Sequence, residues 1–246
     1  MTFIKQQRQE AEYLLLLDTG DALIGDGVLG DETMGEAIVA GMNLMGYDAM
    51  ALGPEELSLG ATLLQQRMQE AHFPMLSANV LRRETKAPIT GAYIVLEAGS
   101  HLVGVIGLTR QPDEDLADFE VLEPQESVAG YVPEVIESAD TVVLLTNLGY
   151  RAAVELVQSV PDIDLVVAAL PRQLPENAAR VPGTATLAVT AEQALPRHAG
   201  RRVGRLVVSL GSDGSLSGEK WSSVPMGPDI ADDPEMKILL DSYRQP

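Results

Sequence analysis

The sequence predicts an α/β domain with parallel strand order over much of the chain, and three observations support this. Apolar segments of strand length alternate with amphipathic segments of helix length along most of the 246 residues. The segment Tyr13–Leu17 is a continuous apolar run, which is typical of a strand buried on both faces of a sheet. A chain of this length with 46% hydrophobic residues can bury one large core or two small ones, and we expect a single domain over residues 1–246.

Local patterns predict the elements of the N-terminal third. A short charged helix over residues 2–12 leads into the strand 13–17. Thr33 and Glu36 form a capping box for a helix that runs to Met45, and Gly46 is placed to end it. A second strand–helix–strand unit follows, with a strand over Ala49–Leu52, a helix over about 56–71 and a strand over Pro74–Val80.

The remaining elements follow in order along the chain. The segments 93–97 and 101–108 flank Gly99 and Ser100, which predicts a β-hairpin. Helices near 126–138 and 151–159 alternate with strands over Thr141–Leu145 and Asp164–Ala169, an order that favours parallel pairing. The last predicted elements are a long loop over 171–182, strands near 185–191, 202–210 and 215–224, and a helix over Pro234–Tyr243 behind the acids Asp232 and Asp233.

Composition excludes several classes of partner. Lysine and arginine total 17 against 36 aspartates and glutamates, so the net charge of −19 repels nucleic acid and anionic lipid. Cysteine is absent, which excludes disulfides and thiolate metal sites. The start of the sequence shows no export signal, and no apolar run approaches the length of a membrane span. We therefore expect neither nucleic acid nor membrane as a partner, and a cytoplasmic location for the sequence as given.

Two possible ligand sites in the loop after the first strand receive little support. The segment 25–30 matches the dinucleotide pattern G-x-G-x-x-G, but seven residues separate it from the strand, and the acids around it would repel phosphates. These acids could bind a hard cation, although their spacing is not that of an EF-hand. His72, His101 and His198 are far apart in sequence, so they do not indicate a transition-metal site.

Six segments, taken in order, resemble a known family. They are LLLLDTGDALIG (14–25), MNLMGYDAMALGPEEL (42–57), FPMLSANV (73–80), VGVIGLT (103–109), ADTVVLLTNLGY (139–150) and IDLVVAAL (163–170). Their order and wording resemble the metallophosphoesterase domain of the bacterial 5′-nucleotidases, which are calcineurin-like phosphoesterases. The closing segment 213–243 is similar to the end of that domain. The resemblance covers nearly the whole chain and depends on ordered blocks rather than on one short motif.

The resemblance implies a fold and a domain arrangement. It implies a four-layer αββα sandwich, in which two mixed β-sheets are flanked by helices. The family's first strand carries an Asp-x-His block that has no match here, so we expect this strand to be missing. We also expect the C-terminal 5′-nucleotidase domain, which stacks the nucleobase, to be absent. An incomplete N-terminus would change the first of these expectations and would allow export.

The resemblance also identifies the positions of a dinuclear metal site, and most of them are changed. Asp21 matches the bridging aspartate of the family. Pro54, Glu55 and Glu56 stand in the place of Asn-His-Glu, so a proline replaces a ligand and Glu55 replaces the catalytic histidine. Asn147 occupies the place of a ligand histidine. The block Ala169–Arg172 replaces the last histidine block, with Arg172 at its end.

Two functional hypotheses follow from these substitutions. The first is a degenerate, non-catalytic domain retained for binding or assembly, without a cofactor and with a protein partner or a second copy of itself. The second is a hydrolase of nucleotides or other phosphoesters with a rebuilt acidic site. In that case Asp18, Asp21, Glu55 and Glu56 would hold one divalent cation such as Mg²⁺, Mn²⁺ or Ca²⁺. Asn147 and Arg172 would then face the phosphate.

Overall fold

The computed structural model describes residues 1–25, 27–169, 178–190, 201–211 and 214–244. The helices are α1 Thr2–Glu10, α2 Val28–Glu32, α3 Glu36–Met45, α4 Pro54–Ser58, α5 Gly60–Glu70, α6 Pro124–Ile136, α7 Tyr150–Ser159 and α8 Pro234–Tyr243. The strands are β1 Leu17–Asp18, β2 Ala49–Ala51, β3 Met75–Leu76, β4 Val80–Arg82, β5 Tyr93–Ala98, β6 His101–Leu108, β7 Phe119–Val121, β8 Thr141–Gly149, β9 Leu165–Ala169, β10 Ala179–Arg180, β11 Leu187–Thr190, β12 Arg202–Leu210 and β13 Leu216–Pro225.

A six-stranded mixed sheet lies at the centre, with the strand order β10-β11-β9-β8-β6-β5. Its four inner strands are parallel, and the edge strands β10 and β5 are antiparallel to their neighbours. Helices α6 and α7 cover one face through apolar contacts that include Val128, Leu156 and Ile106. The hydrophobic residues of the inner strands explain this placement, since both faces of these strands are covered.

The second sheet layer packs on the other face of the central sheet. The parallel sheet β1-β2-β3 and the hairpin β12-β13 share an apolar cluster with the central sheet, which includes Ala51, Leu76, Val105 and Leu216. Helices α3 and α5 cover the outer face of β1-β2-β3. The order of layers is therefore helix, sheet, sheet, helix, and the mixed α/β fold expected from the sequence is confirmed. Among the described residues, no helix combines the length and apolar character that crossing a bilayer requires.

Several predicted elements are confirmed with small changes of boundary. The hairpin β5–β6 turns at Gly99, whose φ of +68° lies in the left-handed region that glycine tolerates. Helices α6, α7 and α8 lie where the sequence placed them. Asp233 caps α8, because its carboxylate accepts hydrogen bonds from the N–H groups of Glu235 and Met236.

Two predicted strands are wrong in extent. Of the strand predicted over Tyr13–Leu17, only Leu17 belongs to β1, which continues to Asp18. Before it, Leu16 N donates to the Asp48 side chain at 2.6 Å rather than to a backbone carbonyl of the ladder. The strand over Pro74–Val80 is divided into β3 and β4. Residues 77–79 between them are extended toward polar partners, which interrupts the regular pairing.

The predicted capping box and one predicted helix are also wrong. The N-cap of α3 is Gly35, in the left-handed conformation, and Thr33 instead ends the preceding helix α2. The helix expected over 56–71 is two helices, α4 and α5, which meet at Gly60 with a φ of +77°. The middle of the predicted turn 211–214 and most of the loop 171–182 lie outside the described residues.

Candidate functional site

The carboxyl ends of β1, β2, β6 and β8 meet at one end of the fold. Parallel strands present their carboxyl ends at the same edge of a sheet, and α/β proteins place ligand sites there. Side-chain hydrogen bonds join the residues that follow these strands. The bonded residues are up to 128 positions apart in the sequence. We call this group the strand-end cluster, and it consists of Asp18, Asp21, Glu56 and Asn147.

Asn147, near the carboxyl end of strand β8, joins three other chain segments. Its Nδ2 donates to the carbonyl oxygens of Leu52 at 2.7 Å and Thr19 at 3.1 Å. Its Oδ1 accepts a hydrogen bond from Arg110 N at 2.7 Å. The residue is 3% exposed, so the amide is satisfied entirely inside the protein. The hydrolase hypothesis assigns this amide to a phosphate, and that role stays a prediction; in the structure its donor and acceptor groups bond to the backbone.

Glu56 connects the loops that follow β1 and β2. It is the third residue of α4, and its Oε2 accepts from the N–H of Gly53, the N-cap, at 2.8 Å. The same oxygen accepts from Asp21 N at 2.8 Å, and Oε1 accepts from Ala22 N and Leu23 N at 2.8 and 3.0 Å. A carboxylate has about four acceptor positions, and this one uses them all.

The electrostatic environment of Glu56 has opposing contributions. The side chain is fully buried, and its pKa is raised to about 7, mainly by removal from water and also by the charge of Asp21. The backbone N–H donors act in the opposite direction. Pro54 supports the same turn from the first helical position, where the missing N–H of proline costs nothing.

Asp21 adopts a left-handed conformation with a φ of +58°, which aspartate tolerates better than most residues. Its Oδ1 accepts a hydrogen bond from Glu55 N at 2.9 Å. Its Oδ2 lies 3.6 Å from Nε of Arg110, which follows β6. Both oxygens of the carboxylate matched to the family's bridging ligand thus lie against nitrogen donors of the chain. The side chain of Glu55 is on the exposed side of the turn.

Asp18 lies at the end of β1, half-buried beneath the loop. Its Oδ1 accepts a hydrogen bond from Gly20 N at 2.9 Å. The pKa of Asp18 is raised to about 6, mainly by removal from water; the Gly20 N–H opposes this increase and the Asp21 charge adds to it. Two carboxylates close enough to influence each other are a feature of many cation sites.

The loops at these strand ends approach each other closely. A Cβ atom on Gly20 would lie 2.5 Å from the carbonyl oxygen of Ala51 and 3.0 Å from Nδ2 of Asn147. A Cβ atom on Gly53 would lie 2.2 Å from Oδ1 of Asp21. Only glycine fits at these two positions, since any side chain would push the loops apart. The glycines of the Gly-Asp and Gly-Pro-Glu-Glu segments therefore allow direct contact between the loops.

A second network of hydrogen bonds connects the loop after β2 to the loop after β6 and to residues 77–79. Asn79 donates to the carbonyl oxygens of Thr109 and Leu122 and accepts from Thr109 N. The Thr109 hydroxyl donates to Leu52 O at 2.8 Å and contacts the Ser77 hydroxyl at 2.8 Å. Leu52 O therefore receives donors from both Thr109 and Asn147, which use both of its lone pairs.

The described residues do not fit a metal centre of the kind that the resemblance implies. The oxygens of Glu56 and Asn147 are occupied by backbone N–H donors, and those of Asp21 face Glu55 N and Arg110. Among the residues that the structure describes, no group of three or more His, Asp or Glu side chains is placed to hold a metal ion. The four acids of the hydrolase hypothesis are therefore not gathered as a donor set. Arg172 lies outside the described residues.

Sequence reasoning missed Arg110 and Thr109. Both follow β6 directly, at the same edge as the predicted site residues, so their position after a parallel strand was the available signal. Arg110 contributes the cation nearest to Asp21 among the described residues, and Thr109 contributes a donor to the loop after β2.

Comparisons with known proteins agree with this architecture. The chain is 33% identical to rat (Rattus norvegicus) 5′-nucleotidase over 176 residues, which cover 68% of the chain and 30% of the rat protein. The crystal structure of a 5′-nucleotidase precursor from Thermus thermophilus superposes with a TM-score of 0.86 at 27% identity, covering the whole chain and 52% of that protein. No protein-family model matches the chain.

A third comparison concerns the fold alone. The calcineurin-like phosphoesterase YfkN of Bacillus subtilis superposes with a TM-score of 0.75 at 21% identity, over 99% of the chain and 89% of the solved chain. The chain spans less than half of the length of the curated relatives it matches. With this fold, this strand-end site and these relatives, the chain belongs to the 5′-nucleotidase and calcineurin-like metallophosphoesterase family.

Proposed function

We propose that the chain is a non-catalytic metallophosphoesterase-like domain that serves in binding or assembly. The proposal depends on one observation: polar side chains at the strand ends already bond to backbone groups of the chain. Asn147, which the resemblance aligns with a ligand histidine, is 3% exposed, and its amide forms hydrogen bonds with three backbone groups. A phosphoesterase needs donor atoms that are open to metal and substrate, and function depends on the site rather than on the fold.

Turnover with added metal tests this proposal. The purified protein is incubated with Mn²⁺, Zn²⁺ or Co²⁺ and assayed on nucleoside monophosphates and on a bis-aryl phosphate, with an active 5′-nucleotidase as the positive control. We expect no turnover above that of metal alone. A metal-dependent rate that disappears in Asp21→Ala would overturn the proposal, because it would show that the remaining family carboxylate supports catalysis.

The alternative is a phosphoester hydrolase with a rebuilt acidic site, which the electrostatic coupling of Asp18 and Asp21 favours. One divalent cation would have to displace hydrogen bonds that now hold these loops. Calorimetry distinguishes the two hypotheses, because the alternative requires Mg²⁺, Mn²⁺ or Ca²⁺ to bind, with a loss of affinity in Asp18→Asn. Heat signals no larger than the dilution of the salts would end the alternative.

Assembly with a second copy is the simplest form of the proposed role. Light scattering over a wide range of protein concentration measures it directly. A rise of the apparent mass with concentration would support self-association. A strict monomer at high concentration would leave binding of a different partner as the role.

A further inference from the structure

We propose that hydrogen bonds within the chain cross-link the strand ends at the place where the family resemblance puts a metal centre. In this inference Asn147 and Glu56 are positioning residues that hold the loops, and the fold keeps its strand ends together without a divalent ion. The inference goes beyond the proposed function, because it concerns what stabilises the site rather than whether the site turns over substrate. Its test therefore measures stability and local opening, not activity.

Asn147 joins chain segments that are far apart in the sequence. Its hydrogen bonds to Thr19 and Leu52 connect positions 128 and 95 residues away, and the bond from Arg110 N adds a third segment. A bound metal ion stabilises a protein in the same way, by holding ligands from distant segments that would otherwise separate. One buried carboxamide therefore makes the type of connection that a shared metal ion makes in other sites.

Glu56 joins the loop after β1 to the loop after β2. Its two oxygens hold Gly53 N in the loop after β2 and three consecutive N–H groups, residues 21–23, in the loop after β1. In return, Asp21 Oδ1 accepts from Glu55 N, so the two loops are joined in both directions. Charged acceptors form stronger hydrogen bonds than neutral ones, which makes this connection the stronger of the two.

The loops after β1 and β2 lie so close together that no space remains between them for an ion. The hypothetical Cβ positions of Gly20 and Gly53 overlap atoms of the opposite loop, so the two loops are already in van der Waals contact. An ion between them would have to separate the loops and break the bonds to Glu56 or Asn147. The bonds and an ion at this place are thus alternatives.

The wild-type protein gives the first test. Its melting temperature is measured after treatment with EDTA and again with Mn²⁺, Zn²⁺ or Mg²⁺ in millimolar excess. A ligand that binds only the folded state raises the melting temperature, so we expect the four values to agree within about 1 °C. A fall of several degrees with EDTA, or a rise of several degrees with any ion, would overturn the inference.

The second test follows the amide hydrogens of the strand-end loops. In Asn147→Ala we expect hydrogen exchange at Arg110 N to accelerate by about 10-fold or more relative to the wild type, because its acceptor is removed and the loop opens locally. Asn43→Ala is the matched control. Asn43, in α3, also joins two segments through its side chain, which bonds to Glu70 O and His72 N at the end of α5, away from the strand-end loops.

The control separates local from global effects. Both asparagine variants should lower the melting temperature by several degrees, whereas only Asn147→Ala should accelerate exchange at Arg110. If Asn147→Ala does not fold, Asn147→Ser replaces it, since the hydroxyl is too short to reach all three partners. Unchanged exchange at Arg110 in a folded variant would overturn the role given to Asn147.

Discussion

Two buried polar clusters in the same domain are built in opposite ways. In the strand-end cluster, Glu56 and Asn147 are almost inaccessible to solvent, and their side-chain oxygen and nitrogen atoms have backbone partners. The second cluster, between α3 and α5, consists of Arg67, Glu70 and Glu36. There, Nη1 of Arg67 lies 2.7 Å from Glu70 Oε2 and 3.8 Å from Glu36 Oε2.

The α3–α5 cluster is incompletely satisfied. Although Arg67 is 3% exposed, its Nε and Nη1 make no hydrogen bond of acceptable geometry to any described residue, and neither does Oε2 of Glu70. A buried charge without full hydrogen bonding loses solvation that a single close ion pair does not recover. A guanidinium at this position therefore contributes little to net stability.

Buried polar side chains stabilise this fold most where they pair with backbone groups of irregular loops. Backbone N–H and C=O groups of irregular loops need partners, and Glu56 and Asn147 supply partners where four strand ends meet. Between α3 and α5, Asn43 pairs with the backbone at the end of α5, and Arg67 lies against the side-chain carboxylates of Glu70 and Glu36. The same burial thus has large consequences in one cluster and small consequences in the other.

The largest effect is expected for Glu56→Gln. The amide nitrogen of glutamine cannot accept, so two of the four N–H donors around position 56 lose their acceptor while remaining buried. We expect the free energy of unfolding to fall by about 4 kcal/mol, measured by urea denaturation. Glu55→Gln is the matched control, one position earlier and exposed, with a change below about 0.5 kcal/mol. Equal effects of the two variants would contradict the comparison.

An intermediate effect, of opposite sign, is expected for Asp18→Asn. Because the pKa of Asp18 is raised from 3.8 to about 6, the folded state keeps a proton that the unfolded state has released across this window. The contribution of Asp18 to the free energy of unfolding is complete below the unfolded pKa and is lost as the pH rises through the folded pKa. Asparagine resembles the protonated form and keeps an acceptor for Gly20 N.

The measurement is urea denaturation of both proteins at several pH values. We expect Asp18→Asn to be more stable than the wild type by about 2 to 3 kcal/mol near pH 7.5, a difference that changes little down to about pH 6 and then shrinks as the pH falls from about 6 toward 3.8. A difference that does not depend on pH would show that the charge of Asp18 is not its cause.

The smallest effect is expected for Arg67→Met. Methionine fills a similar volume without a charge, and the carboxylates of Glu70 and Glu36 are partly exposed and can turn to water. We expect the free energy of unfolding to change by less than about 1 kcal/mol, in either direction, in the same denaturation assay. A loss comparable to that of Glu56→Gln would mean that the α3–α5 cluster stabilises the fold as strongly as the strand-end cluster.

Much of the fold could be predicted from the sequence because its signals are local. The hairpin at Gly99, the helix after Asp233 and the alternation of helices with buried strands depend on residues within one or two turns of each other. Two errors had different causes. The Asp48 side chain, distant along the chain, accepts the N–H of Leu16. Gly60, in a left-handed conformation, divides a helix whose apolar pattern is continuous.

The candidate site could be located but not interpreted in this way. Its position at the strand ends followed from the order of the strands, and the substitutions at Pro54, Glu55 and Asn147 followed from the resemblance. Sequence patterns gave no indication that Asn147 bonds to Thr19 and Leu52, because these contacts join loops far apart along the chain. The contribution of Arg110 was missed for the same reason.

Local sequence patterns are sufficient to predict the α/β class, most of the helices and the residue types at the strand ends. The interactions of those residues depend on the folded chain, which brings together four loops and gives Glu56 and Asn147 their backbone partners. The physical reason is that periodicity and turn chemistry act over a few residues. The hydrogen bonds of a buried side chain depend instead on which backbone groups the whole fold leaves unpaired beside it.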